Sequence, residues 1–364
     1  MTLPTSGNPI KFSEIETEFG GAPNNNIGAY RISAETYGGK SFSSLDTGIP
    51  TGSNPISWSN FHGKKLNVVI DCHTDCANER VNAKTEYTNN NVNCVGSGAL
   101  TSPAASRNAS DASGHKIYIR VNKTIGSATG SANNCALRTG TFESAAVNVD
   151  IGSSGKLMGA GGNGGAGADH GSGTGGDGGD GNAALGIDHS GTAVIVESGG
   201  TLQCGYGGGG GGGSDRDEDP GADRTAGGGG GGGGAGFPGG GAGTGGTEGN
   251  DGPGNNSHSG GGAGGGGSTP AGGEQGGGGG NGGNNANEAI GGNGGRGGDQ
   301  ENAAGGGGTP GGDGGGGGGS AGGNGSAIRK ASDEIAYTFS ESGSETGGTA
   351  NTGSESGGSH IGVA

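Results

Sequence analysis

Glycine constrains this chain more than any other feature. Of its 364 residues 105 are glycine, and most of them lie between positions 159 and 325, in runs broken by short polar segments. The longest run is Gly227 to Gly234. The runs lack the strict Gly-X-Y period of collagen, and too few large apolar residues accompany them to build an ordinary core. This half of the chain is therefore either a flexible linker or an ordered stack of polyglycine II helices.

The segments between the runs favour the ordered stack. A single polyglycine II helix has no internal hydrogen bonds, so its N–H and C=O groups need neighbouring helices at its sides. The separators alternate between long ones at 214–226, 247–258 and 284–290 and short ones at 237–238, 268–271 and 299–304, and the last tract is predicted at 305–325. If each separator reverses the chain, the long ones all lie at one end. A flexible linker gives no reason for this alternation.

Composition and charge exclude several functional classes. Hydrophobic residues make up 26% of the chain, so only the first half can bury a conventional core. The net charge of -16 argues against nucleic acid or an anionic membrane as the main partner. We expect no transmembrane segment, and the opening Met1-Thr2-Leu3-Pro4 predicts no signal peptide. Assembly into a virus particle with release by lysis is one route out of the cell that fits.

The first 65 residues contain an internal repeat. The segment from Pro4 to Ile15 recurs as the segment from Pro50 to Phe61, and each copy has turn residues, an isoleucine and then a serine able to cap a short helix. In the first copy Ser13 begins a sequence with capping-box spacing, which predicts a brief helix. Two interpretations remain open: a module that docks the protein to a larger assembly, or two turn-helix units that only pack on each other.

From residue 66 to residue 206 the apolar pattern has a period of two, which predicts short strands. A second repeat joins the segment from Val149 to Leu157 with that from Val194 to Leu202, at an offset of 45 residues, and each copy runs into a glycine tract. The strands are expected to form a solenoid-like or sandwich-like base for the tracts. A last strand is predicted at Ile335 to Phe339, as the closing strand of the glycine domain, with a mobile tail beyond Ser340.

The predicted fold is an all-β N-terminal half with a small turn-helix module, followed by a packed polyglycine II domain, with almost no α-helix. The predicted division is an N-terminal docking module at 1–65, a β-rich domain at 66–158, a glycine-rich domain at 159–326 with an inserted strand segment at 183–204, and a C-terminal strand and tail at 327–364.

Catalytic and metal-binding patterns are weak. The glycine runs match phosphate-loop patterns by accident, because no buried strand and following helix flank them, and no histidine lies in a nucleophilic context. We therefore predict no enzyme activity. Cys72 and Cys76 flank His73 as a candidate soft-metal site, against strand cysteines that are free or paired. Asp215, Asp217 and Asp219 have the alternating spacing of a calcium site, although Pro220 stands where an EF-hand loop turns on glycine; the alternative is a solvated acidic loop.

Three groups of residues carry a family resemblance. They are Leu3-Pro4-Thr5-Ser6-Gly7 with its echo ending Ser57-Trp58-Ser59-Asn60-Phe61-His62-Gly63; the strand segments Leu66 to Ile70, Leu137 to Phe142 and Leu157 to Gly165; and the glycine-rich final half. The first resembles a module at the start of tailed-phage structural proteins. The second resembles the strand-then-glycine domain of phage tail and tail-fibre proteins, and the third is similar to the polyglycine-sandwich domain of tail-fibre adhesins.

The resemblance implies a virion protein that recognises a host surface receptor, a glycan or an outer-membrane protein, through loops at the end of the stack, and that contacts other tail or fibre proteins or further copies of itself. The alternatives are a purely structural fibre subunit and an antifreeze-like protein with a flat, uncharged face. Polar residues of the three long separators are the candidate receptor contacts, because loops on a stiff scaffold concentrate binding residues. They are Asp215, Arg216, Asp217, Arg224, Glu248, Asp251, His258, Asn285 and Glu288.

Overall fold

The structure is a computed structural model of the chain. It describes residues 3–19, 27, 36–37, 40–41, 54–63, 68–72, 81–85, 116–129, 134–142, 146–169, 173–219, 222–247, 258–267, 276–285, 289–299, 304–308, 316–332, 334–342 and 349–351. The elements are α1 (Phe12–Phe19), β1 (Thr36–Tyr37), β2 (Lys40–Ser41), a 3-10 helix (Trp58–Phe61), β3 (Val68–Cys72), β4 (Val81–Asn82), β5 (Lys116–Val121), β6 (Thr124–Gly126), β7 (Cys135–Arg138), β8 (Ala146–Ile151), β9 (Lys156–Met158), β10 (Ala183–Ile187), β11 (Thr192–Glu197), β12 (Thr201–Gln203), β13 (Asp215–Asp219), β14 (Ala222–Ala226), β15 (His258–Ser259), β16 (Asn284–Asn285), β17 (Ala289–Ile290), β18 (Ile328–Lys330), β19 (Tyr337–Ser342) and β20 (Thr349–Asn351).

Strands β3 to β12 and β18 to β20 form a parallel β-solenoid with three faces. Sheet A holds β3, β5, β8, β11 and β19; sheet B holds β6, β9, β12 and β20; sheet C holds β4, β7, β10 and β18. Every pairing within these sheets is parallel. From β5 onward the chain visits sheets A, B and C in turn and then returns to A, so each circuit is one coil. Of the two predicted architectures, the solenoid is therefore the one adopted.

Alternating apolar residues explain why this segment forms strands. Ile117, Ile119 and Val121 of β5 are fully buried, and they pack with the corresponding residues of β8 and β11 in one core that all three sheets line. The predicted 45-residue repeat is confirmed as adjacent coils, because Val149 pairs with Val194 and Leu157 pairs with Leu202. A period of two puts one side chain in each pair inside the solenoid.

The glycine-rich chain leaves the solenoid at one corner, between sheet B and sheet C. In one coil residues 159–182 connect β9 to β10, and in the next coil residues 204–327 connect β12 to β18. Within the described residues these connections contain ten straight tracts, numbered in chain order. They are tract 1 (159–169), tract 2 (173–182), tract 3 (204–214), tract 4 (227–236), tract 5 (239–247), tract 6 (260–267), tract 7 (276–283), tract 8 (291–299), tract 9 (304–308) and tract 10 (316–325).

Lateral backbone hydrogen bonds at every third residue hold the tracts together. For example, the N–H groups of Gly162, Gly165 and Ala168 in tract 1 donate to carbonyls of tract 3 that are also three residues apart, at 2.8 to 2.9 Å. A helix with three residues per turn presents one group to the same neighbour on each turn. The predicted packing of polyglycine II helices is therefore confirmed.

The direction of each tract follows from the order of its hydrogen bonds. Tracts 1, 3, 5, 7 and 9 run away from the solenoid, and tracts 2, 4, 6, 8 and 10 run back. Tracts 3 and 4 each exchange hydrogen bonds with six other tracts, and the remaining eight form a closed ring around them. The ten tracts thus lie in three layers of three, four and three.

Three sequence-based expectations are wrong in detail. The segment 305–325 was expected to be one tract, but 304–308 and 316–325 run in opposite directions as tracts 9 and 10. The C-terminal strand was expected to close the glycine domain, but β18 and β19 pair with β10 and β11 and continue the solenoid. Ordered strand also extends beyond Ser340, through the end of β19 and into β20. These strands add to the edges of the solenoid sheets because the N–H and C=O groups at a sheet edge need hydrogen-bond partners.

The two copies of the N-terminal repeat pack on each other. Ile15 of the first copy and the equivalent Phe61 of the second are fully buried together with Leu3, and the equivalent residues Phe12 and Trp58 meet edge to face at 5.6 Å between ring centroids. The expected start of the helix is wrong, because α1 begins at Phe12 rather than after a Ser13 cap.

The same local contact stabilises the start of each helix in the repeat. The Lys11 N–H donates to Glu14 Oε2 at 2.7 Å, and the equivalent Ser57 N–H donates to Asn60 Oδ1 at 2.7 Å. Each side chain satisfies a backbone donor that the helix leaves open. None of the helices that the structure describes is long and apolar enough to cross a membrane.

Candidate recognition site at the far end of the glycine stack

The three long separators meet at the far end of the stack, opposite the solenoid. Strands β13 and β14 form a hairpin between tracts 3 and 4, and β15, which precedes tract 6, pairs in parallel with β14. The β16–β17 hairpin between tracts 7 and 8 lies against the same sheet. Because consecutive tracts run in opposite directions, separators that are distant in sequence converge at this tip.

Asp215 joins the first long separator to the third. Its Oδ2 accepts a hydrogen bond from the Ile290 N–H at 2.9 Å, and only 1% of Asp215 is exposed. Ile290 itself is 48% exposed, so the contact leaves a large apolar side chain at the surface of the tip. The hydrogen bond between the buried Asp215 and Ile290 ties the first long separator to the third, and the tip presents an apolar side chain among polar segments.

The structure brings six of the nine candidate receptor contacts together. Asp217 of β13 lies opposite Arg224 of β14, His258 lies opposite Thr225, and Asn285 lies opposite Ala289. Those six are Asp215, Arg216 and Asp217 on β13, Arg224 on β14, His258 on β15 and Asn285 on β16. Glu248, Asp251 and Glu288 lie outside the described residues.

Of the three candidate calcium ligands, Asp215 is the one whose side chain the structure describes. Asp215 is buried, and its Oδ2 accepts a hydrogen bond from the Ile290 N–H. No group of three His, Cys, Asp or Glu side chains in the described segments is arranged to hold a metal ion. Asp215 therefore acts as a structural anchor, and calcium binding at β13 stays a prediction.

Cys135 and Cys204 are buried in the described part of the chain. Cys135 lies on sheet C, where burial raises the pKa of its thiol to about 11, and Cys204 packs with Tyr206 and Ala235 where tract 3 leaves the solenoid. A thiol with a raised pKa is mostly protonated at neutral pH and is a poor nucleophile or metal ligand. Cys72 ends β3, and His73 and Cys76 lie outside the described residues.

Sequence reasoning missed the role of Asn and Asp on the outer tracts. Asx side chains spaced by multiples of three residues, all of them exposed except Asp299, accept hydrogen bonds from N–H groups of the neighbouring tract. The contacts are Gly241 N–H to Asn163, Thr247 N–H to Asp169, Ser320 N–H to Asp177, Gly323 N–H to Asp180, Gly282 N–H to Asn293 and Gly276 N–H to Asp299, at 2.7 to 3.3 Å. The three-residue spacing of Asx residues within the glycine runs was the available signal.

A reciprocal contact strengthens three of these positions. Asn163 accepts the N–H of Gly241, and the next residue, Gly164, donates to the carbonyl of the same Gly241 at 2.9 Å. Asp177 and Gly178 hold Ser320 in the same way, and Asp180 and Gly181 hold Gly323. We call this arrangement the Asx–Gly clamp. It satisfies outer backbone donors that the stack itself leaves open.

The near end of the stack is fixed to the solenoid. Ser127, after β6, accepts hydrogen bonds from the Ala160 N–H at 2.8 Å and from Asn182 Nδ2 at 3.2 Å, and all three residues are buried. The turn between tracts 4 and 5 packs so closely on β6 that a Cβ at Gly126 would lie 2.2 Å from the Phe237 carbonyl oxygen. These contacts attach the near end of the stack to the solenoid.

Comparison with known proteins gives no match: no family model, no curated protein and no solved structure is similar to this chain.

Proposed function

We propose that this protein is a virion component of a tailed phage, an adhesin of the tail or tail fibre that binds a host surface receptor through the tip of its glycine stack. The role is binding rather than catalysis. The receptor is a glycan or an outer-membrane protein, and other tail or fibre proteins are partners for residues 1–65. Further copies of the chain are also candidate partners.

The observation that carries this proposal is the convergence of the long separators. A packed stack holds the β13–β14 hairpin, β15 and the β16–β17 hairpin together at the end farthest from the solenoid. Such a scaffold costs much backbone entropy to order, and its rigidity reduces the entropy lost when the displayed loops bind. Loops displayed on a rigid scaffold are the usual location of recognition residues. The acidic, partly apolar tip fits this role.

The test is competition for adsorption. Purified protein should block adsorption of the phage that encodes it, and a variant with residues 216–224 replaced by Gly-Asn-Gly should lose this ability. The variant retains Asp215, Thr225 and Ala226, so the base of the hairpin and the anchor to Ile290 remain. Hydrogen exchange of tract 3 and tract 4 amides would verify that the stack is intact.

The matched control replaces residues 300–303, between tracts 8 and 9, by the same Gly-Asn-Gly sequence. Tract 8 ends and tract 9 begins at the solenoid end, so this replacement should not affect competition. If the folded hairpin variant competes as well as the unchanged protein, or if the control loses competition instead, receptor binding by the tip is refuted.

A purely structural fibre subunit is the second candidate. The observation that favours it is Phe339, which faces the solenoid interior from β19 yet is 39% exposed. In the part of the chain that the structure describes, β19 is the last strand of sheet A, so this end offers both backbone and apolar contacts. Electron microscopy separates the roles, since a fibre subunit forms filaments and an adhesin gives single particles at a tail tip.

One side of the stack carries no charged residues. Tracts 5, 6 and 7 adjoin one another there, and they contain only glycine, alanine, threonine and asparagine at 240–247, 261–267 and 276–283. An antifreeze-like protein would need a face of this kind. The charged separators at the tip have no role in that alternative, so we favour the adhesin.

A further inference from the structure

Four Asn–Gly sequences occur in the chain, at Asn163, Asn281, Asn293 and Asn324. All four lie in the glycine stack. Asn–Gly is the sequence most prone to spontaneous deamidation, because glycine has no side chain to hinder attack by its own nitrogen. The reaction needs a free Asn side chain and a glycine N–H that can leave its hydrogen bond, so the structure distinguishes the four sites.

Three of the four asparagine side chains are held by another tract. Asn163 Oδ1 accepts from the Gly241 N–H at 2.8 Å, Asn293 Oδ1 from the Gly282 N–H at 2.9 Å, and Asn324 Oδ1 from the Gly207 N–H at 3.1 Å. Asn281 is exposed, and its side chain makes no such contact with any residue that the structure describes. Its side chain is therefore free to rotate toward the following residue.

The hydrogen bond donated by the glycine after each asparagine also separates Asn281 from the other three sites. Gly164, Gly294 and Gly325 each donate to a backbone carbonyl of a neighbouring tract at 2.9 Å. Gly282, which follows Asn281, donates instead to the Asn293 side chain at the surface. A side-chain acceptor can rotate away without moving a tract, whereas a backbone carbonyl cannot.

We infer that Asn281 is the modification site of the stack, where deamidation begins while the protein is folded. The Gly282 nitrogen attacks Asn281 Cγ and forms a new C–N bond, and the side-chain nitrogen leaves as ammonia with the Gly282 N–H proton. Water then opens the succinimide at either carbonyl to give aspartate or isoaspartate. Isoaspartate adds one atom to the main chain, which disrupts the three-residue register of tract 7 with tracts 4, 6 and 8.

Mass spectrometry of the full-length protein tests this inference. After incubation at mildly alkaline pH, we expect conversion at Asn281 to be about ten-fold faster than at the other three sites, the ratio that the loss of one hydrogen bond gives. In denaturant the four rates should become similar. Equal rates in the folded protein, a faster rate at any other site, or an unchanged Asn281 over a period in which the denatured chain converts would overturn the inference.

Two alanine variants test the role of the Gly282 hydrogen bond. Asn293→Ala removes the acceptor and should speed conversion at Asn281, whereas Asn163→Ala removes a similar contact on a distant tract pair and should leave it unchanged. Hydrogen exchange of the tract amides verifies that the glycine stack remains folded in both variants. If folded Asn293→Ala converts at Asn281 no faster than the unchanged protein, the proposed protection by that bond is wrong.

Discussion

The solenoid and the glycine stack are both built from rows of chain packed side by side, but different forces hold the rows together. In the solenoid, side chains at every second position fill a core, as Ile119 and Val149 do at 0% exposure. In the stack, all residues of tracts 3 and 4 are buried, and most of them are glycines with only backbone around them; a small side-chain cluster of Cys204, Tyr206 and Ala235 lies at the solenoid end. One region is stabilised mainly by apolar burial and the other by lateral hydrogen bonds and close packing.

This difference predicts which amino-acid substitutions each region tolerates. The solenoid should tolerate the replacement of one apolar core residue by another of similar volume, because side chains fill the space between its sheets. At the interior glycines of the stack, no side chain should be tolerated. A Cβ added at Gly230 would lie 2.2 Å from the Gly243 carbonyl oxygen, whereas a Cβ at Gly278 on the outside of tract 7 would meet nothing within 4 Å.

The largest expected effect is that of Gly230→Val. The branched side chain cannot fit between tracts 4 and 5, so we expect the free energy of unfolding of the stack to fall by about 3 kcal/mol or more. Hydrogen exchange should show tract amides exchanging like those of an unstructured peptide while β5 and β8 stay protected. Gly278→Val is the matched control and should leave tract exchange nearly unchanged. Simultaneous loss of protection in β5 and β8 would show that the two regions are not independent.

A smaller effect is expected from Ile119→Ala in the solenoid. Removing this fully buried side chain leaves a cavity, which should lower the free energy of unfolding by about 2 to 4 kcal/mol. Denaturant unfolding followed by strand-specific exchange measures the loss. Ile195→Ala, at a half-buried position on the outer face of β11, should cost clearly less. Equal losses from the two substitutions would contradict burial as the dominant force in this region.

The smallest effect is a gain from Ala166→Asn. Asn163 and Asp169 accept N–H groups of residues 78 positions later, and Ala166 stands between them where the same register reaches Thr244. An asparagine there should complete the row and raise stability by about 0.5 kcal/mol. Thermal unfolding of the stack measures this. Ala166→Lys is the control, because lysine has no acceptor. A gain from lysine equal to that from asparagine would show that the hydrogen bond is not responsible.

Particular residues show how far the sequence could be interpreted. The glycine runs and alternating separators predicted the polyglycine II packing and the convergence of β13, β15 and β16 at one end, since both follow from chain reversals that are local. The pairing of Val149 with Val194 could likewise be anticipated from the 45-residue repeat. The anchor between Asp215 and Ile290 could not, because 75 residues separate them and nothing local marks the pair.

By itself, therefore, the sequence determined the two kinds of regular structure, because a period of two and a three-residue helix rich in glycine are properties of short segments. Only the tertiary structure decided that both glycine insertions leave the same solenoid corner, that tracts 3 and 4 are central, and that β18 and β19 rejoin the solenoid. These choices depend on which unsatisfied backbone edges meet once the chain is compact. Hydrogen-bonding groups of the main chain are the same in every residue, so their partners leave no trace in the sequence.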